Sequence, residues 1–586
     1  MGSHRLGHIP VAAEQDHEHG SVVAPRERSV TAGLEMLERG GNAVDAAVAA
    51  ALVAGVVEPT ETTLAGCGFL LYADRATDPR AVEFGPRAPL AADARMFDLD
   101  PAAAGPAVLG LAPVLGNANV DGPRAAGVPR TLLGLLTAHE RWGALDRRTV
   151  CGPAVDAAHD GFPADTWFLT NAFSDLERLR ADEGTRTTFL ADDGLPIGRT
   201  SPAFYGSSLG ERESVRQPVL AATLEEIACS PLTALTEGAI AQRLVETSRE
   251  RGGLLTMADL AASGPRIGPA LTIDYRGALV AVPPAPGGGL TELQILRAWE
   301  ALQSRPRTSH ESPETTRALA LVLRHAFADR YHWLGDPDVV PVPTRGLLSD
   351  GYAARLAALC AQGDNVVRWE SGHPWFTYAG SPAHDPWPHD DGRDAPQWSP
   401  ATATPPTSGT THISATDRDG RTVAITHTAA NHFGSAVLCP RTGLLFDSAM
   451  AWFNAAPGAA NSIAPGARPL ANMGPALVLS DAARHAVGAS GGRRIISAVA
   501  QVVINLVDGG HSPREALCLP RLDASGHPLL VHEDRAEALS ALGDLDPELV
   551  AASNEPFTID FARPNIASVT EAGRTSSAIP STAHSA

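Results

Sequence analysis

The stretch PPTSGTTHISATDRDGRTVAITHT, residues 405–428, decides how the rest of the chain is read. Prolines and small residues lead into Thr410, Thr411 and His412, and the residues then alternate on both sides of the tetrapeptide DRDG, 417–420. Alternation flanking a turn-forming tetrapeptide predicts a β-hairpin, THISAT paired with RTVAIT. A loop of small residues directly before a Thr-Thr pair raises a sharper question, because nothing in a hairpin requires it.

Working outward, short apolar runs continue after the hairpin in TGLLF, ALVLS and HAVGAS, and RIISAVAQVVINLVDGG follows with helical spacing. This predicts a sheet with helices packed on it. Toward the N-terminus, SVTAGLEMLERGGNAVDAAVAAALVAGVV (29–57) carries helical periodicity broken at Gly40-Gly41-Asn42, which predicts two packed helices joined by a tight turn. The next segment, TLAGCGFLLYADRATDPRAVEFGPRAPLAA, reads as a strand pair, and helical patterns dominate from about 130 to 365. Residues 366–409 hold four tryptophans (369, 375, 387, 398) among many prolines, which predicts an extended, flexible linker with aromatic anchors. The Ser/Thr/Ala-rich tail from about 567 is expected to be disordered.

The composition excludes several classes of function. In 586 residues, all 46 basic residues are Arg and the net charge is −20, which argues against nucleic-acid binding, since that needs basic surface. Cys67, Cys151, Cys229, Cys360, Cys439 and Cys518 show no metal-ligand spacing, so reduced structural thiols are expected. His17 and His19 read as exposed residues of a polar leader rather than as a metal site. No apolar run approaches about 18 residues, and residues 1–23 lack the apolar core of a signal peptide, so no membrane span and a cytoplasmic location are expected.

Six stretches stand out together: GGNAVDAAVAAALVAGVVEP (40–59), AAGVPRTLLG (125–134), VPPAPGGG (282–289), GTTHISATDRDGRTVAITHT (409–428), RPLANMGPALVL (468–479) and GASGGRRII (488–496). In this combination and order they resemble the γ-glutamyltransferase (γ-glutamyltranspeptidase) family of N-terminal nucleophile hydrolases. Taken singly, a Thr-Thr at a strand start is ordinary β-propensity and a Gly-Gly before a helix an ordinary turn. The resemblance implies an α+β fold, an αββα four-layer sandwich, with no cofactor and no metal. It also implies self-cleavage between Gly409 and Thr410 into a large chain 1–409 and a small chain 410–586, with two such heterodimers able to associate. Thr410 would be the nucleophile, its freed α-amino group the base, Thr428 a supporting hydroxyl, and Gly491 and Gly492 the oxyanion-binding N–H groups. Gly409, without a Cβ, would leave its carbonyl open to the Thr410 hydroxyl and permit a strained backbone.

The positions that the family uses to hold glutamate are altered. Gly85 stands where an Arg would grip the α-carboxylate, with Arg87 two residues on; Ala471 and Asn472 replace a Ser-Ser pair; Ala451 and Trp452 replace an acidic pair; and Ala430 replaces an Asn, with Asn431 next to it. Each lost hydrogen bond to a charged group forfeits roughly 1.5–3 kcal/mol. Trp452 offers instead a flat apolar wall for a small-molecule substrate, or simply fills core. Three activities compete. One is hydrolysis of a carbon–carbon bond in a 4-alkyl-L-proline precursor, as in the similar enzymes of lincosamide and pyrrolobenzodiazepine biosynthesis, with other amidase substrates including β-lactam side chains also open. The second is γ-glutamyl hydrolysis or transfer, with Arg87 and Asn472 compensating. The third is an esterase built on Ser490, since GASGG fits G-x-S-x-G, with His527 or His532 as its base in preference to the nearer Asp508 and His511.

Overall fold

The computed structural model describes residues 18–100, 113–199, 213–366, 382–390, 393–398, 409–526, 528–546, 549–552, 560–570 and 573–578. Twelve strands build two six-stranded sheets, antiparallel throughout. They are β1 (Gly20–Val23), β2 (Cys67–Ala73), β3 (Arg80–Phe84), β4 (Arg266–Pro269), β5 (Leu271–Tyr275), β6 (Ala278–Val282), β7 (Thr411–Asp417), β8 (Thr422–Thr428), β9 (Ala476–Leu479), β10 (Ala483–Ser490), β11 (Arg563–Thr570) and β12 (Gly573–Ala578). The first sheet runs β1-β7-β8-β2-β3-β4 and the second β12-β11-β10-β9-β6-β5. Both sheets therefore mix strands from either side of Gly409.

Helices α1 (Glu27–Glu38), α2 (Ala43–Val57) and α3 (Thr131–Trp142) cover the outer face of the first sheet. Helices α4 (Gly289–Leu302), α5 (Pro313–Trp333), α6 (Asp350–Gln362) and α7 (Arg494–Val507) cover the second. This is the expected α+β, four-layer αββα sandwich. No helix among the described residues is long and apolar enough to cross a membrane.

Helix α2 is almost wholly Ala and Val, and every residue except Gly55 is buried. Side chains this small let α1 and the first sheet approach closely, while burial of the valines supplies hydrophobic stabilisation. Its start is set by a capping box: the Asn42 side chain accepts from the Val44 N–H at 2.8 Å, and Asp45 accepts from the Asn42 N–H at 2.8 Å. The β7–β8 turn is tied to this helix by the buried Asp417, which accepts from Asp419 N, Arg421 N and Ala43 N at 2.9–3.0 Å. Consequently the C-terminal end of α2 delivers residues 58–63 to the edge of the β7–β8 pair.

Between the sheets a polar chain complements the apolar contacts. His412 Nδ1 lies 2.8 Å from Thr426 Oγ1 and Nε2 lies 3.0 Å from Ser414 Oγ, which in turn donates to Asn565 Oδ1 at 2.9 Å. Burial pushes the His412 imidazole down to about 3, so the ring is neutral. Gly488 on the facing strand is the reason the ring fits, because a Cβ there would overlap it.

Several expectations are corrected. Of the tail expected to be disordered from 567, residues 567–570 instead complete β11 and 573–578 form β12: Ser576 and Ser577 pair with Ala567 and Ile566, and Ser577 and Ser568 are buried. Backbone pairing along the sheet edge orders these residues despite their low hydrophobicity. TGLLF belongs to neither sheet; Leu445 and Phe446 make isolated bridges to Leu438 and Ala65. Most of the linker 366–409 lies outside the described residues, as do His17 and His527, but Trp387 is an anchor, buried with its ring 4.9 Å from that of Trp333.

Gly488→Ala is expected to destabilise the protein by about 1–3 kcal/mol through overpacking against His412, measured as a lower urea midpoint with an unchanged m-value. An unchanged midpoint would show that the intersheet spacing is not set there.

Candidate active site

The loop Glu58–Thr63, at the end of α2, and the junction Gly409–Thr410, at the start of β7, press directly against each other. A Cβ on Gly409 would collide with the Thr60 carbonyl oxygen and lie 2.9 Å from Glu61 Cα. Close approach explains this glycine, whereas the left-handed backbone conformation is not in evidence here, since Gly409 is absent from the positive-φ glycines. The Thr410 N–H donates to Glu61 Oε2 at 3.0 Å. Thr410 and Glu61 are 2% and 4% exposed, so this contact is sealed from solvent.

Two hydroxyls converge on one carbonyl. Thr410 Oγ1 donates to the Gly409 oxygen at 2.7 Å, and Thr428 Oγ1 donates to the same oxygen from the end of β8. The Thr428 hydroxyl in turn accepts from Ala430 N at 2.8 Å and lies 3.4 Å from Thr410 Oγ1. Ala430 adopts φ +71°, a left-handed conformation costly for a residue with a Cβ, which turns its N–H onto Thr428. Polarisation by two donors makes the Gly409 carbonyl electrophilic, with a hydroxyl oxygen at its side.

The carboxylate is held on every side. Glu61 Oε1 accepts from Trp167 Nε1 at 2.9 Å, and Oε2 accepts also from Arg563 Nη2 at 3.4 Å. The Arg563 guanidinium lies 5.3 Å over the Trp167 ring. Nearby, burial pushes Glu58 up to about 7, with Arg26 opposing and Glu61 adding to the rise. His427, facing the same loop, has its Nδ1 2.7 Å from Thr62 Oγ1 and is pushed by burial down to about 3.

Gly491 and Gly492 follow the last residue of β10 and precede α7, with φ +137° and +61°. A Cβ on Gly491 would lie 2.7 Å from Ala562 Cα, so glycine is required for packing as well as for conformation. The 14-residue helix α7 starts two residues on, and its N-terminal dipole favours negative charge near these N–H groups.

Four of the altered glutamate positions come together. Ala430, Ala451, Trp452 and Ala471 form one buried apolar cluster with Cys67, Phe69 and Met473. Cys67 pairs with Thr428 in the sheet, so the cluster adjoins the two threonines. Trp452 is 7% exposed and packed within it. Asp447 supports the turn carrying Trp452 by accepting from Gly127 N at 2.8 Å and Ala449 N at 3.2 Å.

The cations around this cluster are already engaged. Arg87 donates to the carbonyls of Gly466 and Ala262 at 3.0 and 2.6 Å, and the structure does not bring it into the cluster. Arg130 donates to Ser263 O, Glu83 Oε1, Gly85 O, Glu83 O and Gly264 O, which uses all five of its N–H groups. Asn472 accepts from Arg330 Nη2 at 3.2 Å, which also donates to Ala471 O at 2.8 Å. Asn431 is 4% exposed, and its carbonyl accepts from Gly434 N at 2.9 Å.

Ser490 lines a small cavity with His412, Arg563 and Asn565. Both nitrogens of the His412 ring are engaged by Thr426 and Ser414, and burial leaves the ring too little proton affinity to serve as base for that serine. Asp508 is at the far end of α7, paired with Arg276, and His532 faces Asp534. Among the described residues, which leave out His527, no esterase triad is assembled on Ser490. No group of three or more His, Cys, Asp or Glu side chains suited to a metal occurs among the described residues. Sequence reasoning missed Glu61, Trp167, Arg130 and Arg563, which are hundreds of residues apart in part and carry no local signature.

Burial pushes Asp447 from 3.8 to about 7, against the two backbone N–H groups that it accepts. An acid with a raised folded-state value binds its proton more tightly folded than unfolded. Its stabilising contribution is full below about pH 4 and is lost as pH rises through 7. The difference in unfolding free energy between wild type and Asp447→Asn is expected to change by roughly 2 kcal/mol between pH 5 and 7, wild type losing more. Urea midpoints at the two pH values check this, and a constant difference would contradict it.

The gamma-glutamyltranspeptidase profile matches residues 29–546. The glutathione hydrolase proenzyme of Pseudomonas sp. (strain A14) is 31% identical over 541 residues, which span 90% of this chain and 84% of that protein. The acylase ACY 1 proenzyme of Pseudomonas sp. (strain SE83) is 30% identical over 532 residues, 89% of this chain and 85% of that one. The solved structure of LmbA2991HD superposes with a TM-score of 0.75 at 23% identity, covering 97% of this chain and 98% of the other, and so shares its fold. With a profile that spans most of its length, the chain belongs to the gamma-glutamyltranspeptidase family of hydrolases and transferases.

Proposed function

We propose that this chain is a precursor that cuts itself between Gly409 and Thr410, yielding a large chain 1–409 and a small chain 410–586, and then acts through the new N-terminal threonine. The observation that supports the cut is the pair of hydroxyls on the Gly409 carbonyl. Thr410 Oγ1 bonds to the Gly409 carbonyl carbon while the Gly409–Thr410 C–N bond breaks, and the hydroxyl proton passes to the leaving nitrogen. Water then hydrolyses the ester, leaving the Gly409 carboxylate, the Thr410 hydroxyl and an α-ammonium. In turnover the neutral amine takes the Thr410 hydroxyl proton, Thr428 supports the nucleophile, and the N–H groups of Gly491 and Gly492 hold the oxyanion.

The substrate reading rests on one observation. Four of the positions that would hold the charged ends of a glutamyl group, Ala430, Ala451, Trp452 and Ala471, lie instead in a single apolar cluster beside Thr428. Removal of one charge-assisted partner at each end lowers kcat/KM for a γ-glutamyl donor by roughly 10²–10⁴-fold. The cluster favours an acyl group with an apolar or planar body against Trp452. Within that class we place hydrolysis of a carbon–carbon bond in a 4-alkyl-L-proline precursor of antibiotic biosynthesis: Thr410 attacks a keto carbonyl, a stabilised enolate carbon leaves and takes a proton, and water releases the acid. The second reading, γ-glutamyl hydrolysis or transfer, is favoured by the extent of the match to a glutathione hydrolase. The relative named an acylase supports other acyl groups as a further substrate class. Two processed heterodimers associating is compatible with each.

Gly409→Ala is expected to slow self-cleavage at least tenfold, because the added Cβ displaces the scissile peptide from Glu61 and Thr428; the band pattern of freshly translated protein over time reads this. For the substrate, the cut enzyme is given L-γ-glutamyl-p-nitroanilide and, separately, a 4-alkyl-L-proline precursor bearing a keto side chain in H₂¹⁸O. Acid release carrying ¹⁸O, with the anilide at least 100-fold slower, is the expected result. Efficient anilide turnover with no acid release would replace this reading by the second.

A further inference from the structure

We infer that Glu61 is a positioning residue for the Thr410 amino group: its carboxylate receives the α-ammonium that the cut creates, and so sets the pH at which that amine can serve as base. The inference rests on the self-cleavage proposed above and concerns a residue outside the motifs that carry the family resemblance.

The geometry is already built before the cut. The atom that becomes the amine, Thr410 N, donates to Glu61 Oε2 at 3.0 Å, and the contact is buried. Glu61 cannot swing away easily, since the Trp167 indole and the Arg563 guanidinium fix its two oxygens. Its own carbonyl accepts from Ala429 N at 3.2 Å, tying the same turn to the residue that follows Thr428. At 430, where the resemblance places an Asn, the side chain is an Ala methyl in the apolar cluster and offers the amine nothing. The Glu61 carboxylate thus supplies the acceptor on this side of the site.

The surrounding charges define the sign. The loop after α2 contributes Glu58 and Glu61; β11 contributes Arg563; the start of α1 contributes Arg26, itself paired with Asp165; the loop after β8 contributes His432, whose pKa burial lowers. A carboxylate in hydrogen-bond contact favours the ammonium over the amine and raises its pKa above the ordinary value of about 8; Arg563 acts in the opposite direction. A raised value also makes the amine a stronger base for the Thr410 hydroxyl.

The test uses the cut full-length protein and competitive acetylation by acetic anhydride from pH 5 to 10, with the N-terminal peptide of the small chain followed by mass spectrometry. The midpoint of Thr410 acetylation gives the amine's pKa without any substrate. Glu61→Gln, which keeps shape but loses charge, is expected to lower the midpoint by about one pH unit or more, a tenfold change in proton affinity. Glu61→Asp is expected to restore part of that shift. Arg563→Gln is expected to raise the midpoint, and it decides the matter on its own should the Glu61 variants fail to fold. A midpoint unmoved by Glu61→Gln, or lowered by Arg563→Gln, overturns the inference while leaving the cut intact. A wild-type chain that stays whole, seen before any labelling, overturns the self-cleavage reading and this inference with it.

Discussion

The contact between the Thr60–Glu61 backbone and the Gly409–Thr410 peptide is the constraint on which the site depends. It exists because α2, built of Ala and Val, packs tightly enough under the first sheet to bring its C-terminal loop to the start of β7. Gly409 lets the two backbones touch, and Glu61 then fixes Thr410 N while Thr428 reaches the Gly409 oxygen from the adjacent strand. Each part has a separate structural cause. Helix packing sets the depth, the β7–β8 register sets the spacing of the two threonines, and the left-handed Ala430 sets the Thr428 hydroxyl.

The second constraint is charge. A pocket that recognises a zwitterion needs free partners for both ends, and the guanidiniums nearest this one are already committed. Arg130 has no free N–H, Arg468 pairs with Glu83 and Asp336, and Arg330 pins the 471–472 corner. What remains beside the threonines is Cys67, Trp452, Phe69, Met473 and three alanines. On the proposed reading, an acyl group held against these apolar side chains is selected by shape rather than by paired charges.

Much of this was legible in the residues. The alternating hairpin, the paired helices at 29–57 and the strands ALVLS and HAVGAS follow from local periodicity, which is why they match the structure. The gathering of 430, 451, 452 and 471 was legible only through resemblance, because no local rule places four separated positions together. The 573–578 strand was missed since its Ser/Thr-rich text has the composition of a free tail, and only pairing with β11 orders it. Glu61 was missed for a different reason: it lies in an unremarkable polar turn, and its partners Trp167, Thr410 and Arg563 meet it only after folding.

The central claim is that Thr410 cuts its own chain, and an intact-mass spectrum of the purified wild type beside Thr410→Ala tests it most directly. Two masses for the wild type, corresponding to residues 1–409 and 410–586, with a whole Thr410→Ala chain, is the predicted result. A single 61.0 kDa species for the wild type would contradict the account, because Thr410 would then never gain a free amine.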